Sequence, residues 1–362
     1  MPEIRVDLGP RSYSIRVARG LSQRLPECLE ELQAGQLWVL ITQESLYQTY
    51  GEQIHQLLHQ AGMQTAVITI PVGETAKTLK EVNIIYNQLI TIGSDRSTTL
   101  LALGGGVVGD VTGFVAATFM RGISYVQLPT TLLAMVDSAI GGKTGVNLPT
   151  GKNLIGAVYQ PRLVILDPAF LATLPAREYI SGLAEILKYG LIFDSRFFHY
   201  LEENMTNILE QTDEGIQEKI ISRSAELKTN IVEQDEFEGD LRRLLNFGHT
   251  IGHALETSLG YTTLRHGEAV AYGMMAAGAI SYRRNLLSKA EWDFLQSTLR
   301  RLPLPAITIP PAEDVLTIIK RDKKVRSGVL HFVLLNGIGQ GIIVDDVTDA
   351  ELTAVLETLE SL

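Results

Sequence analysis

Three of the chain's seven histidines, His249, His253 and His266, stand close together, two in Asn246-Phe247-Gly248-His249-Thr250-Ile251-Gly252-His253 and the third in His266-Gly267-Glu268. His249 and His253 are four positions apart and share one face of a helix, a spacing able to bind a divalent metal. A lone histidine on an apolar helix is usually a hydrogen-bonded core residue, but the cluster points to a metal or acid–base site. A catalytic metal commonly takes three nitrogen or oxygen ligands and keeps an open position. Glu185, in Gly182-Leu183-Ala184-Glu185-Ile186-Leu187-Lys188, sits among apolar residues where a solvated acid is not expected. A buried carboxylate needs a cation, which a metal or a plain ion pair with Lys188 would supply.

A second group is the turn Gly104-Gly105-Gly106-Val107-Val108-Gly109-Asp110, directly after the apolar run Leu100-Leu101-Ala102-Leu103. Glycines there can take positive φ and let a phosphate approach the backbone, and the helix that follows points free N–H groups at the anion. The spacing satisfies the dinucleotide fingerprint, although no acidic residue follows about 20 positions later, and a tight structural turn gives the same letters. The third group is cationic: Lys143, Lys152, Lys188, Lys228, Arg242, Lys323 and Lys324. Singly, each reads as solvated surface; converging, they would hold a substrate with more than one negative group.

The elements that must position these residues alternate early in the chain. Strand-like runs at 36–42, 64–70, 99–103, 124–128 and 162–166, with helix-like stretches at 46–61 and 78–91 between the earlier ones, predict a parallel α/β sheet. From about Leu174 to Leu302 the pattern is helical, and Pro303, Pro305, Pro310 and Pro311 mark a linker. The runs 331–335 and 341–344 around a glycine-rich turn suggest a hairpin. The fold class expected is α/β: an N-terminal nucleotide-binding parallel α/β domain, 1–174, followed by a mainly α-helical C-terminal domain, 175–362.

Composition excludes several classes. The chain has 362 residues and a net charge of −10, which argues against a nucleic-acid or anionic-membrane partner. The run Ala269 to Ile280 is too short to span a bilayer, which takes about 20 residues, and its Ala and Gly content suggests a buried helix at a close crossing. The first residues alternate like a strand and lack a secretory signal. Cys28 excludes an intrachain disulfide because it stands alone, fits a reducing, cytoplasmic setting, and reads as a semi-buried packing residue.

From about Pro71 to Leu335 the sequence resembles the 3-dehydroquinate synthase family. The resemblance is carried by Pro71 through Lys77, the turn from Gly104 to Asp110, Arg121-Gly122, Leu128 through Leu133, Asp137-Ser138, Gly141 through Thr144, and Gly151-Lys152-Asn153. Gly182 through Glu185, Asn246 through His253, His266-Gly267-Glu268 and Asp322-Lys323-Lys324 complete it in the same order. The resemblance implies NAD+, one divalent metal, zinc or cobalt, and an active site between two domains. Glu185, His249 and His266 would be the metal ligands, with His253 left as a hydrogen-bonding or acid–base residue. NAD would contact Val72, Gly73, Glu74, Thr75, Ala76, Lys77, Gly106, Val107, Val108, Gly109, Asp110, Thr130, Thr131, Lys143, Lys152, Phe170, Leu171, Ala172 and Thr173. Asp137, Lys188, Lys228, Arg242, Asn246, His253 and Lys323 would form the substrate shell, with Lys152 and Asn153 beside a phosphate. Arg121 would reach the neighbouring subunit's site, implying a homodimer.

The implied reaction is conversion of 3-deoxy-D-arabino-heptulosonate 7-phosphate to 3-dehydroquinate and phosphate. Transient oxidation, phosphate elimination, re-reduction, ring opening and aldol closure would make it redox-neutral, an early step of aromatic amino-acid synthesis by a phosphorus–oxygen lyase. The alternatives are a related sugar-phosphate cyclase making a cyclitol, a metal- and NAD-dependent polyol dehydrogenase, and a catalytically silent nucleotide-binding or interaction protein.

Overall fold

A computed structural model of the chain describes residues 3–32, 35, 37–260, 263–325 and 331–359, with the side chains of 322–325 outside the description. Two compact units emerge: residues 1–174 with 228–237, and residues 175–227 with 238–362. The change of texture near Leu174 therefore marks one crossing point. It misses the segment 228–237, which the expected second domain had included and which packs with the first unit, because nothing local in a helical sequence says where its far end docks.

Unit 1 is built on one sheet. Strands β1 (Glu3–Val6), β2 (Tyr13–Val17), β3 (Leu37–Gln43), β4 (Gln64–Ile70), β5 (Thr99–Gly104) and β6 (Ser124–Pro129) come first along the chain. The pair β7 (Lys143–Leu148) and β8 (Gly151–Val158) follows, then β9 (Leu163–Leu166). The seven-stranded order is β1-β2-β9-β6-β5-β3-β4, with β1 antiparallel to β2 and the other pairs parallel. β5 is an interior strand, flanked by β6 and β3, and every residue of it is buried, which is why it reads as an unbroken apolar run.

Helices α1 (Leu25–Glu30), α2 (Glu44–Leu46), α3 (Glu52–Gln60), α4 (Leu79–Ile92) and α5 (Gly106–Thr118) complete the main segment of the unit. α4 begins where Thr78 accepts from the Glu81 N–H, and it ends at Gly93 with φ of 83°. α5 is apolar nearly all round and is buried on most of its length, against β5, β6 and β7. Cys28 on α1 is a buried free thiol. The antiparallel pair β7 and β8 was not expected from sequence: Lys152, Asn153 and Leu154 are exposed in a row and no position of β8 is fully buried, so its pattern does not announce a strand.

Unit 2 is mainly helical: α6 (Ala176–Phe193), α7 (Ser195–Glu203), α8 (Met205–Glu210), α9 (Glu214–Gln234), α10 (His249–Ser258), α11 (His266–Arg283), α12 (Lys289–Leu299), α13 (Ala312–Val325) and α14 (Asp349–Leu356). The last turns of α9 carry the chain into unit 1. The segment 303–311 holds no regular element, as its prolines predict, and the expected hairpin is β10 (Phe332–Leu335) with β11 (Gly341–Val344). α11 is buried at almost every position from Gly267 to Ser281. Its crossing with α10 is close because the contact is made of glycine: a Cβ on Gly273 would stand 1.8 Å from the Gly248 carbonyl oxygen. Among the described residues no helix is long and apolar enough to cross a membrane.

Candidate active site

In unit 2, α6 carries Glu185, α10 opens with His249 and bears His253 one turn on, and α11 opens with His266. Glu185 is fully buried, its side chain at 0% exposure. Its Oε1 lies 3.5 Å from His249 Nε2 and 3.3 Å from His266 Nε2. Two ligands each about 2.1 Å from a tetrahedral metal stand roughly 3.4 Å apart. Each histidine nitrogen thus stands at a metal's ligand–ligand spacing from the same carboxylate oxygen. Lys188 is paired with the other oxygen, Oε2, so the ion-pair and metal readings of Glu185 occupy different atoms of one carboxylate.

The ring nitrogens facing away are also engaged. His249 Nδ1 lies 3.1 Å from the Phe247 carbonyl, so with a proton there its Nε2 presents a lone pair toward Glu185. His266 Nδ1 stands 3.5 Å from Glu256 Oε2. Burial and the neighbouring Lys188 charge hold His249 well below the usual histidine range, in the neutral form a metal requires. Burial also opposes the charge on His266, but hydrogen bonds to Glu185 and Glu256 outweigh it and raise this histidine to about 10. His253 is exposed, its ring 5.3 Å from that of His249 and 5.7 Å from that of His266. The donor atoms of the three histidines lie within 4.8 Å of one another, so His253 is a second candidate to complete a ligand set with His249 and His266.

Residues to which the sequence reading assigned no role surround this set. Arg177 forks onto the fully buried Glu268, with Nε–Oε1 and Nη2–Oε2 distances of 2.8 and 2.6 Å, and Glu268 accepts from the Arg265 N–H at 2.7 Å. That carboxylate sits in the first turn of α11, two residues after His266. The Gly267 N–H donates to Ser181 Oγ at 2.9 Å, tying the start of α11 to α6 one turn before Glu185. Glu256 had a signal in the sequence, being seven residues after His249 and so on the same helical face; Arg177 had none. Arg242 is buried at 2% exposure in the turn Leu241–Asn246, which also contains Asn246. The side chain of Lys323 lies outside the described residues.

In unit 1, α5 begins immediately after Gly105, and the first turn leaves the N–H groups of Gly106, Val107 and Val108 without intrahelical acceptors. None of Gly104, Gly105, Gly106 or Gly109 takes positive φ. Their requirement is space: a Cβ on Gly104 would meet Val108 at 2.4 Å and one on Gly109 would meet Gln127 at 2.7 Å. A Cβ on Gly106 would stand 3.0 Å from Ser138 Oγ, a buried hydroxyl without a hydrogen-bond partner among the described residues. Free N–H groups, the room above Gly106 and that hydroxyl fit an anionic group of a nucleotide.

Around this turn, Lys77 Nζ donates to Asp110 Oδ2 at 2.7 Å and to Asn153 Oδ1 at 2.5 Å, with Glu74 Oε1 at 3.8 Å. Asn147, not anticipated from sequence, links the network by donating to Glu74 and accepting from the Asn153 N–H, both at 2.8 Å. Burial raises Asp110 despite the opposing Lys77 charge, and Asp137 adds to the rise. Lys228 Nζ reaches Asp137 Oδ1 at 2.5 Å.

The remaining expected positions in unit 1 spread around the same sheet. The Thr130 N–H donates to the Gly104 carbonyl, and Thr131 Oγ1 accepts from Ala134. Lys143 and Lys152 are exposed on the β7 and β8 pair. Val72, Gly73 and Thr75 are exposed around the turn Glu74–Ala76, where Ala76 is buried. Phe170, Leu171, Ala172 and Thr173 lie in the turn Pro168–Thr173, where the unforeseen Tyr50 stands edge-on to Phe170 at 4.9 Å. Arg121 is exposed with φ of 70°.

With this geometry established, comparison with known proteins is informative. The family models described as 3-dehydroquinate synthase N-terminal and C-terminal match residues 67–181 and 182–325. The 3-dehydroquinate synthase of Pelobacter propionicus is 46% identical over 361 residues, covering 98% of each chain. Among solved structures, 2-epi-5-epi-valiolone synthase from Streptomyces hygroscopicus, with NAD+ and Zn2+ bound, aligns with a TM-score of 0.88 at 32% identity, over 96% of this chain and 97% of that one. A 2-deoxy-scyllo-inosose synthase complexed with carbaglucose-6-phosphate, NAD+ and Co2+ aligns with a TM-score of 0.87 at 25% identity, over 98% and 99%. With both family models matched in order and near-half identity across almost the whole length, the chain belongs to the 3-dehydroquinate synthase family.

Proposed function

We propose that this chain converts 3-deoxy-D-arabino-heptulosonate 7-phosphate to 3-dehydroquinate and phosphate, with NAD+ held by unit 1 and one divalent metal, zinc or cobalt, held by Glu185, His249 and His266. The observation that carries the reading is the approach of both Nε2 atoms to Glu185 Oε1, at 3.5 and 3.3 Å. When bound, the metal supplies Lewis acidity at a substrate oxygen and the dinucleotide a reversible hydride acceptor, so the net reaction is redox-neutral.

The chain's own residues account for binding and charge. Lys188 and Arg242, both buried, present fixed cations to an anionic substrate. Lys152 and Asn153, exposed on β8, offer a charge and a hydrogen bond to the leaving phosphate. Lys228 and Asp137 form a pair whose proton can serve a substrate oxygen, and His253, exposed beside His249, can exchange protons with solvent. Lys323 completes the cation set by its match to the family pattern. The working assembly is a homodimer in which Arg121 serves the neighbouring site, and the setting is the cytoplasm.

The test is phosphate release from the heptulosonate phosphate with catalytic NAD+, with and without a chelator, while absorbance reports free NADH. Chelator-sensitive release without NADH build-up is expected. NADH accumulation would indicate a polyol dehydrogenase instead. The two cyclitol-forming neighbours keep one rival specific: a heptulose phosphate lacking the carboxylate should be a poor substrate here, and preference for it would replace the reading.

A further inference from the structure

We propose that Asn147 is a positioning residue for the phosphate end of the substrate: its side-chain amide sets the backbone that carries Lys152 and Asn153. The inference rests on the reading above, in which those two residues meet the leaving phosphate. The register of β7 and β8 singles the position out. Val146 pairs with Ile155 and Leu148 with Gly151, so Asn147 alone stands opposite three residues, Lys152, Asn153 and Leu154. Such a bulge re-aims side chains and leaves part of the ladder unpaired. Its middle residue, Asn153, has φ of 54°, a left-handed conformation that costs energy in a residue bearing a Cβ.

One side chain selects that conformation. Asn147 Oδ1 accepts from the Asn153 N–H at 2.8 Å, across the bulge, while Asn147 Nδ2 donates to Glu74 Oε1 at 2.8 Å. The carboxylate only accepts and the N–H only donates, so the amide fits in one orientation, and neither a carboxylate nor an alkyl group can replace it. The Asn147 N–H also donates to the Lys77 carbonyl at 2.8 Å, which fixes the base from which the side chain reaches. Lys77 Nζ in turn donates to Asn153 Oδ1 at 2.5 Å. An ammonium has no acceptor, so that oxygen faces the network and the Asn153 Nδ2 donors are left for an anion outside it. Lys152, one residue earlier on the same bulge, brings a cation to the same exposed stretch. Without Asn147 the bulge loses the acceptor that fixes its path, and Asn153 no longer presents its donors at a set place.

Calorimetric titration of inorganic phosphate into the NAD+-saturated protein tests this, beside steady-state turnover of the heptulosonate phosphate. Asn147→Ala should weaken phosphate binding at least tenfold and lower kcat/KM at least tenfold, with most of the loss in KM. Val146→Ala is the control. It removes buried packing from the adjacent position of β7 without touching the bulge, so the melting temperature should fall while phosphate affinity stays within twofold of wild type. Phosphate binding by wild type that Asn147→Ala loses, without turnover of the heptulosonate phosphate by either, would uphold the positioning and refute the functional reading. Turnover by wild type that Asn147→Ala matches in both KM and kcat would do the reverse. Equal losses of phosphate affinity in the two variants, or a wild type that binds no phosphate, would overturn the proposal.

Discussion

A single methyl group at Gly267 should separate two of the proposed metal ligands, Glu185 and His266. A Cβ built there lies 1.9 Å from the Ser181 carbonyl oxygen and 2.6 Å from its carbonyl carbon, both backbone atoms that no rotamer change can remove. To reach an ordinary contact of about 3.4 Å, the start of α11 must retreat from α6 by about 1.5 Å. His266 precedes Gly267, and Glu185 lies one turn beyond Ser181, so the retreat acts directly on the 3.3 Å separation of His266 Nε2 from Glu185 Oε1. Lengthening it toward 4 Å exceeds the roughly 0.2 Å tolerance of metal–ligand distances. Gly267→Ala should therefore cost about 10–100-fold in zinc or cobalt affinity, measured by competition with a chromophoric chelator. It should also cost about 1–3 kcal/mol of stability from overpacking. Gly190→Ala separates the two effects. Its Cβ would crowd the Phe198 backbone at 3.0 Å on the α7 side of the same helix, so stability should fall while metal affinity holds. If Gly267→Ala folds and binds metal as tightly as wild type, or if both variants lose affinity equally, the packing argument fails.

Further outcomes follow from the same geometry. Glu185→Gln, which keeps the shape and removes the charge, should abolish chelator-sensitive turnover and lower metal affinity at least tenfold; full activity would remove Glu185 from the ligand set. Because hydrogen bonds to Glu185 and Glu256 hold His266 protonated up to about 10, metal must displace its proton, so affinity should rise close to tenfold per pH unit between about pH 6 and 9, and a flat profile would contradict this. Arg284 clasps Glu351 through Nε–Oε1 and Nη2–Oε2 contacts of 2.7 and 2.9 Å, and its hydrogen bond to Glu351 is the main cause lowering that acid from 4.5 to about 2. The folded-state value is depressed, so the stabilisation is present above pH 4.5 and is lost as pH falls toward 2. After discounting for solvent screening it is about 1 kcal/mol, and denaturant melts of Arg284→Met should show a correspondingly smaller loss over that interval.

What was legible in the sequence is what local chemistry encodes. The Leu100–Leu103 run could only be a doubly covered strand, and the small residues of α11 announced a helix packed closely on its neighbours. The histidine cluster survived translation into space because two of its members open helices, where the backbone itself sets direction. The readings that failed depended on partners remote along the chain. Glycines at the turn were expected for positive φ, whereas Val108 and Gln127 crowd them and exclude side chains. The β7 and β8 pair buries little beyond Val146 and Ile155, too short an apolar pattern to reveal it. Arg177 and Glu268 are 91 positions apart, so neither forecasts the other.

The charges around Glu185 explain why these side chains can be buried together before any metal arrives. Two carboxylates, Glu185 and Glu256, face Lys188 and a protonated His266, while His249 stays neutral; the count balances. No carboxylate is left without a cation, the arrangement that makes burial tolerable. Metal loading is then an exchange, a divalent ion for the His266 proton, and it adds one net positive charge to the site. That surplus would favour a negatively charged substrate group, and Lys188, paired with Glu185, would act in the same sense. On the proposed assignment the same residues would serve two tasks: their paired charges make burial tolerable, and a bound metal would add the positive charge that suits an anionic sugar phosphate.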